Sequence, residues 1–300
     1  MIRDMTARDM PSAGGMFVPT GRARGVLRFA RRRPLGVGGL IILLTMTLSS
    51  IFAPAIAPYD YDVPDFAARL QSPTWSHLLG TDQLGRDILT RVIWGTRVSL
   101  GVSLAAVALA QGAAAAIAIF SGYYGGWIDT IVQRFVDVWQ ALPTLIIVIT
   151  LVGVVGPGVG VLIAIVGLAS APRAARLIRS VVVQVREEPY IEAAWAIGVP
   201  NTQIMLRYIL PNVAHVMMYS ATVALGGVIL IVTSLGFLGY GVPPPHPDLG
   251  AMLSGDGLTF MRRQPMIAVA PGVAIALVVF SFNVFGDALR DALDPRLRGR

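Results

Sequence analysis

Few side chains in this 300-residue sequence could do chemistry of their own. His77, His215 and His246 are the imidazoles available for metal or acid–base chemistry, but they are scattered, without metal-ligand spacing. There is no cysteine, which excludes thiol and disulfide chemistry. No G-x-S-x-G nucleophile elbow occurs. All 24 basic residues are Arg, and without Lys the chain cannot form the G-K-[S/T] of a phosphate-binding P-loop. No catalytic residue, metal site or cofactor of its own is therefore expected. One stretch has another use: R-E-E-P-Y-I-E-A-A-W-A-I-G-V-P-N-T-Q-I-M-L-R-Y-I-L-P-N at 186–212 is charged, amphipathic and helical, with a break at Gly198 and Pro200. Ala193, Ala194 and Ala196 leave the first helix slim, and Ile204, Leu206, Ile209 and Leu210 give the second an apolar side. A slim helix pair suits insertion into a groove on a partner; lying flat on lipid is the competing use, which Glu187, Glu188 and Glu192 disfavour against anionic headgroups.

The elements around that stretch must hold it out of a membrane. Hydrophobic residues make up 55% of the chain and charged ones 14%, against about 25% charged in a soluble domain, and several charge-free runs approach bilayer-spanning length. The expected fold is all-α with six transmembrane helices: 35–57, 98–120, 137–155, 158–172, 213–238 and 266–285. Thr81 or Asp82 is expected to cap a short helix from Gln83, within a polar segment at 59–97. Ser121–Arg134 reads as a turn with interfacial aromatics. Residues 138–172 carry no charge and are too long for one span; Gly156-Pro157-Gly158 divides them. On this topology 18 Arg fall on the inner side and 6 on the outer, so both termini are expected in the cytoplasm. That side-specific placement also argues against nucleic acid as the partner of the +7 net charge.

The spans hold no acidic or basic residue at mid-depth, which counts against an ion-coupled carrier, the alternative reading together with a stand-alone channel. Gln111, Ser234, Tyr240 and Asn283 are the polar candidates for lining a path.

E-A-A-W-A-I-G-V-P-N-T-Q-I-M-L-R-Y-I-L-P-N resembles the signature of ABC-importer permeases. G-T-D-Q-L-G-R-D at 80–87, R-V-S-L-G-V at 97–102, G-Y-Y-G-G-W-I-D at 122–129, S-L-G-F-L-G-Y-G-V at 234–242, G-A-M-L at 250–253 and D-A-L-R-D-A-L-D-P-R-L at 287–297 are similar to its dipeptide/oligopeptide (and nickel) branch, C-type subunit. The resemblance covers about residue 25 to the end. It implies a five-helix core at 96–287 preceded by an extra span and outer-face segment at 34–95. A cytoplasmic disordered tail at 1–33 and a cytoplasmic tail at 288–300 flank these. It implies a bacterial or archaeal inner-membrane location and a B-type permease as heterodimer partner. It further implies two cytosolic ABC ATPase subunits carrying ATP and Mg, and an external substrate-binding protein. Carried over, Glu192, Ala193, Ala194, Gly198, Ile209, Leu210 and Pro211 belong to the loop coupling to the ATPase, and Gly80, Thr81, Asp82, Gly85, Arg86 and Asp87 to the outer-face segment. Trp195 and Val199-Pro200-Asn201 depart from the family's usual residues, and Ile231-Val232-Thr233 lacks an acid often found there.

Overall fold

The computed structural model describes residues 34–293, with no side-chain description for Asp256 or residues 290–293. The tail expected at 1–33 and the end of the C-terminal tail at 294–300 lie outside the described residues. The described residues are helical apart from connecting loops; a single β-bridge joins Thr81 to Asp87. In order the helices are α1 (Pro34–Ile51), α2 (Ala53–Ile56), α3 (Ile88–Tyr124), α4 (Gly126–Ala141), α5 (Thr144–Val155) and α6 (Val159–Arg186). Then come α7 (Pro189–Ala196), α8 (Asn201–Ile204), a π-turn (Met205–Ile209), α9 (Leu210–Phe237), α10 (Leu249–Leu253), α11 (Gly255–Phe260) and α12 (Met266–Leu293).

Five helices are long and apolar enough to cross a membrane, and α4 with α5 makes a sixth crossing if the pair, bent by 86°, is one broken span. The all-helical membrane fold holds, with six spans reached only when the bent pair is counted as one, and the third and fourth expected members differ from the observed helices. The expected turn at 121–134 is largely the start of α4, and the expected span at 137–155 is cut at Leu142-Pro143. Proline cannot donate a backbone N–H and restrains the residue before it to an extended conformation, as Leu142 is at φ −91°, ψ 138°. The resulting α5 has 12 residues, about 18 Å, too short to span a bilayer by itself.

The fourth span does not stop at 172 either. Pro172 lies inside α6, which continues to Arg186. Pro172 has no N–H to give the Leu168 carbonyl, and α4 braces the helix at that level: Trp139 Nε1 donates to Ala169 O (3.3 Å) and Gln140 Nε2 to Pro172 O (3.2 Å). The arginines just past the expected end of this span are paired, Arg179 with Asp129 (Nε to Oδ1 2.6 Å) and Arg176 with Asp137. The polar side of α4 thus meets α6, while Trp127, Ile131, Phe135 and Val138 form an exposed apolar stripe.

The second span is also longer than expected: α3 runs 37 residues, about 55 Å, and crosses the expected domain boundary at 95/96. It packs most extensively on α6. Small residues permit this, since a Cβ on Gly167 would stand 2.8 Å from Ala106 O, and one on Gly122 2.8 Å from Val182 Cγ1. One core joins Val102, Ala106, Val148, Val166, Ile229 and Phe282 around the middle; a second joins Ala114, Ala118, Ala175, Ile178 and Val182 to the 186–212 stretch. α1 leans on the end of α12, where Gly39 would place a Cβ 3.2 Å from Val284 Cβ.

Candidate functional site

The 186–212 stretch is built as a rigid projection. α7 opens with Pro189 at its first turn, a position where the missing N–H costs nothing. Ile191 and Ala194, three apart, are buried in the second core, while Glu192, Ala193, Ala196 and Ile197 are exposed on the other side, Ile197 by 80%. The helix stops in a Schellman arrangement: Val199 N–H donates to Ala194 O (3.0 Å) and Gly198 N–H to Trp195 O (3.0 Å). Gly198 has φ +78°, a left-handed conformation that an L side chain resists, and open space surrounds it.

After Pro200 the chain re-enters helix, and Ile204 and Ile209 are fully buried. Leu206 points outward and is exposed, so it does not join the apolar side expected of it. The π-turn at Met205–Ile209 was not foreseen, although its signal is Pro211. Pro211 cannot donate to the carbonyl of Arg207 and its ring crowds that group, so widening the preceding turn relieves the conflict.

Of the predicted coupling residues, Glu192, Ala193, Gly198 and Pro211 are therefore exposed, Leu210 is half-buried, and Ala194 and Ile209 are internal supports. A buried aromatic of the 121–134 stretch supports the loop from beneath and takes no part in its exposed face. Tyr123, buried at the end of α3, donates to Asn201 Oδ1 (2.6 Å) and accepts from Trp195 Nε1 (2.9 Å). Trp195, the departure from the family pattern, thus has a partner.

At the far end of α3 the outer-face segment is a dense network. Asp82 does not cap a helix at Gln83. Its Oδ1 accepts from the N–H groups of Leu84 (2.8 Å) and Arg86 (2.9 Å), closing a turn at Gly85 (φ +78°), and Oδ2 accepts from Arg86 Nε (2.7 Å). Thr81 bonds Ala68 O and accepts from Gln71 N–H (2.9 Å). The cap of α3 is Asp87, whose Oδ2 accepts from Thr90 N–H (2.8 Å) while Oδ1 meets His77 Nδ1 at 3.0 Å. Gly80 (φ +77°) lets Gln264 Nε2 reach Gln71 O (2.5 Å). In the neighbouring loop, buried Asp248 accepts from Val242, Gly250 and Ala251 N–H at 3.1, 2.7 and 3.0 Å. Desolvation holds its pKa above the ordinary carboxylate value despite those donors.

The path candidates are spread. Gln111 is buried and accepts from Ser220 Oγ (3.1 Å), a contact between α3 and α9. Ser234 bonds Leu230 O within its own helix, Tyr240 faces Gly153, and Asn283 is exposed beside Gly226.

An arrangement of spans around a projecting helix pair can bind and move. Residues 114–299 match the family described as binding-protein-dependent transport system inner membrane component. The chain belongs to that family. Residues 22–73 match the N-terminal TM domain of oligopeptide transport permease C. The permease is 38% identical over 275 residues to a dipeptide transport system permease protein of Alkalihalophilus pseudofirmus, covering 92% of this chain and 90% of that one. It is 37% identical over 270 residues to a glutathione transport system permease protein of Escherichia coli, covering 90% and 89%. A crystal structure of an amino acid ABC transporter with histidines shares the fold, with a TM-score of 0.51 at 14% identity over 68% of this permease and 95% of that chain. These relatives are transport permeases, not enzymes.

Proposed function

We propose that the chain is the C-type permease of an ATP-driven importer for dipeptides or other short peptides, paired with a B-type permease, two cytosolic ATPases and an external binding protein. ATP and Mg belong to the ATPases, in keeping with a chain that has no Lys for a P-loop. The observation that carries the reading is the loop: a slim exposed face at Glu192, Ala193, Ala196 and Ile197, ended at Gly198 and backed by a core shared with α3 and α6. It fits a cleft on a partner and cannot yield without moving the helices beneath it. The substrate class rests on the dipeptide and glutathione permeases it is similar to.

The Arg distribution supports a cytoplasmic loop and termini and an external 59–97 segment, and the family description supports an inner-membrane location. In this reading residues 34–95 are an accessory span and outer segment, residues 96–287 are the translocating core, and Ser234, Tyr240 and Asn283 line the path. Gly198→Trp or Glu192→Arg in the complete complex should abolish uptake of a labelled dipeptide while the protein still reaches the membrane. Substrate-stimulated ATPase activity at the normal level in both variants would sink the docking role.

A further inference from the structure

The Tyr123 hydroxyl is used in both directions, donating to Asn201 at 2.6 Å and accepting from Trp195 at 2.9 Å. Its two partners stand on opposite sides of the Gly198 bend, Trp195 in α7 and Asn201 in α8. One buried oxygen therefore ties both limbs of the loop to one point of α3. Two residues later α3 ends at Gly125 (φ +64°), against which the Arg186 guanidinium lies, and Gly122 seats Val182 of α6. From Tyr123 the helix runs back to Ile88 without a proline or a break. At that end Asp87 caps it and meets His77, and Arg91 reaches Tyr61 O (3.1 Å). A helix without a proline or a break, packed along α6, can deliver a displacement at one end to the other.

We propose that Tyr123 is the positioning residue through which α3 follows the docking loop, making α3 a rod that carries the loop's movement to the outer-face segment. This rests on the docking role proposed above. A hydroxyl that fixes both limbs at once transmits a push on α7 and a pull on α8 alike.

The chain has no cysteine, so one reporter can be placed at will. Trp75, 98% exposed in the outer-face segment, is replaced by Cys and labelled with an environment-sensitive fluorophore in the complete complex in nanodiscs. ATP with vanadate is the stimulus. Tyr123→Phe keeps the ring and removes both hydrogen bonds, each about a fivefold factor in an equilibrium. The expected result is ATP hydrolysis within twofold of the parent, with the signal at residue 75 reduced at least fivefold. Trp195→Phe removes one bond and should give an intermediate signal; it decides the matter if Tyr123→Phe does not assemble. Full signal in the decisive variant overturns the proposal, as does a loss of signal only in proportion to hydrolysis, which marks a merely structural role. Gly198→Trp separates the two ideas: if it leaves hydrolysis and signal unchanged, the docking role is what has failed.

Discussion

Asp82→Ala tests whether the outer-face segment is a built structure rather than a surface loop. The carboxylate is 5% exposed and accepts three hydrogen bonds, from Leu84 N–H, Arg86 N–H and Arg86 Nε, with Arg91 Nε at 3.6 Å. A hydrogen bond to a charged group contributes about 1.5–3 kcal/mol. The two backbone donors can turn to water once the turn opens, which offsets part of the loss, whereas the Arg86 guanidinium, 14% exposed, loses a carboxylate it needs. The net cost is about 3 kcal/mol, roughly a hundredfold in the local opening equilibrium. Hydrogen exchange of the Leu84 and Arg86 amides in the purified permease reads that equilibrium directly. Asp82→Asn keeps an acceptor oxygen but loses the charge, and should accelerate exchange about tenfold. Exchange within threefold of the parent in Asp82→Ala would refute the reasoning.

Gly167→Val should lower thermal stability in detergent by several degrees, because its Cβ meets the Ala106 carbonyl and overpacking typically costs about 1–3 kcal/mol. Gly160→Ala, in open space, should not. At Asp248 burial raises the folded-state pKa, so the folded protein takes up the proton first. The group's contribution to stability is fully present below the unfolded carboxylate pKa and is lost as pH rises through the raised folded value. The melting temperature of the parent relative to Asp248→Asn should therefore climb as pH is lowered from 7 towards 4; a flat or falling difference would contradict that.

The spans and the loop could be read from the sequence because hydrophobic length and charge are local properties. So could the bend at Gly198, where the backbone itself demands glycine. The continuation of α6 through Pro172 could not, because it depends on Trp139 and Gln140 and on partners for Arg176 and Arg179, all in another helix. The break at Pro143 is hidden in a run without a charged residue, in which a corner leaves no change of charge. The cap falls to Asp87 rather than to Thr81 or Asp82 for a similar reason: all precede helix-compatible residues, and only the turn at Gly85 decides which of them caps. Tyr123 was visible as an aromatic, but its work is done with residues 72 and 78 positions away.

The hydrogen bond from Gln264 to the Gln71 carbonyl joins groups 193 residues apart. At about 5–20 residues per second, a ribosome needs about 10–40 s to make the intervening chain. The outer-face segment therefore emerges long before its clasp exists. Its nearer bonds, through Thr81, Asp82 and Asp87, must keep it in shape over that interval. Seen as a problem of birth order, the short-range network is a temporary splint, and Gln264 is the latch that closes when the last third of the chain arrives.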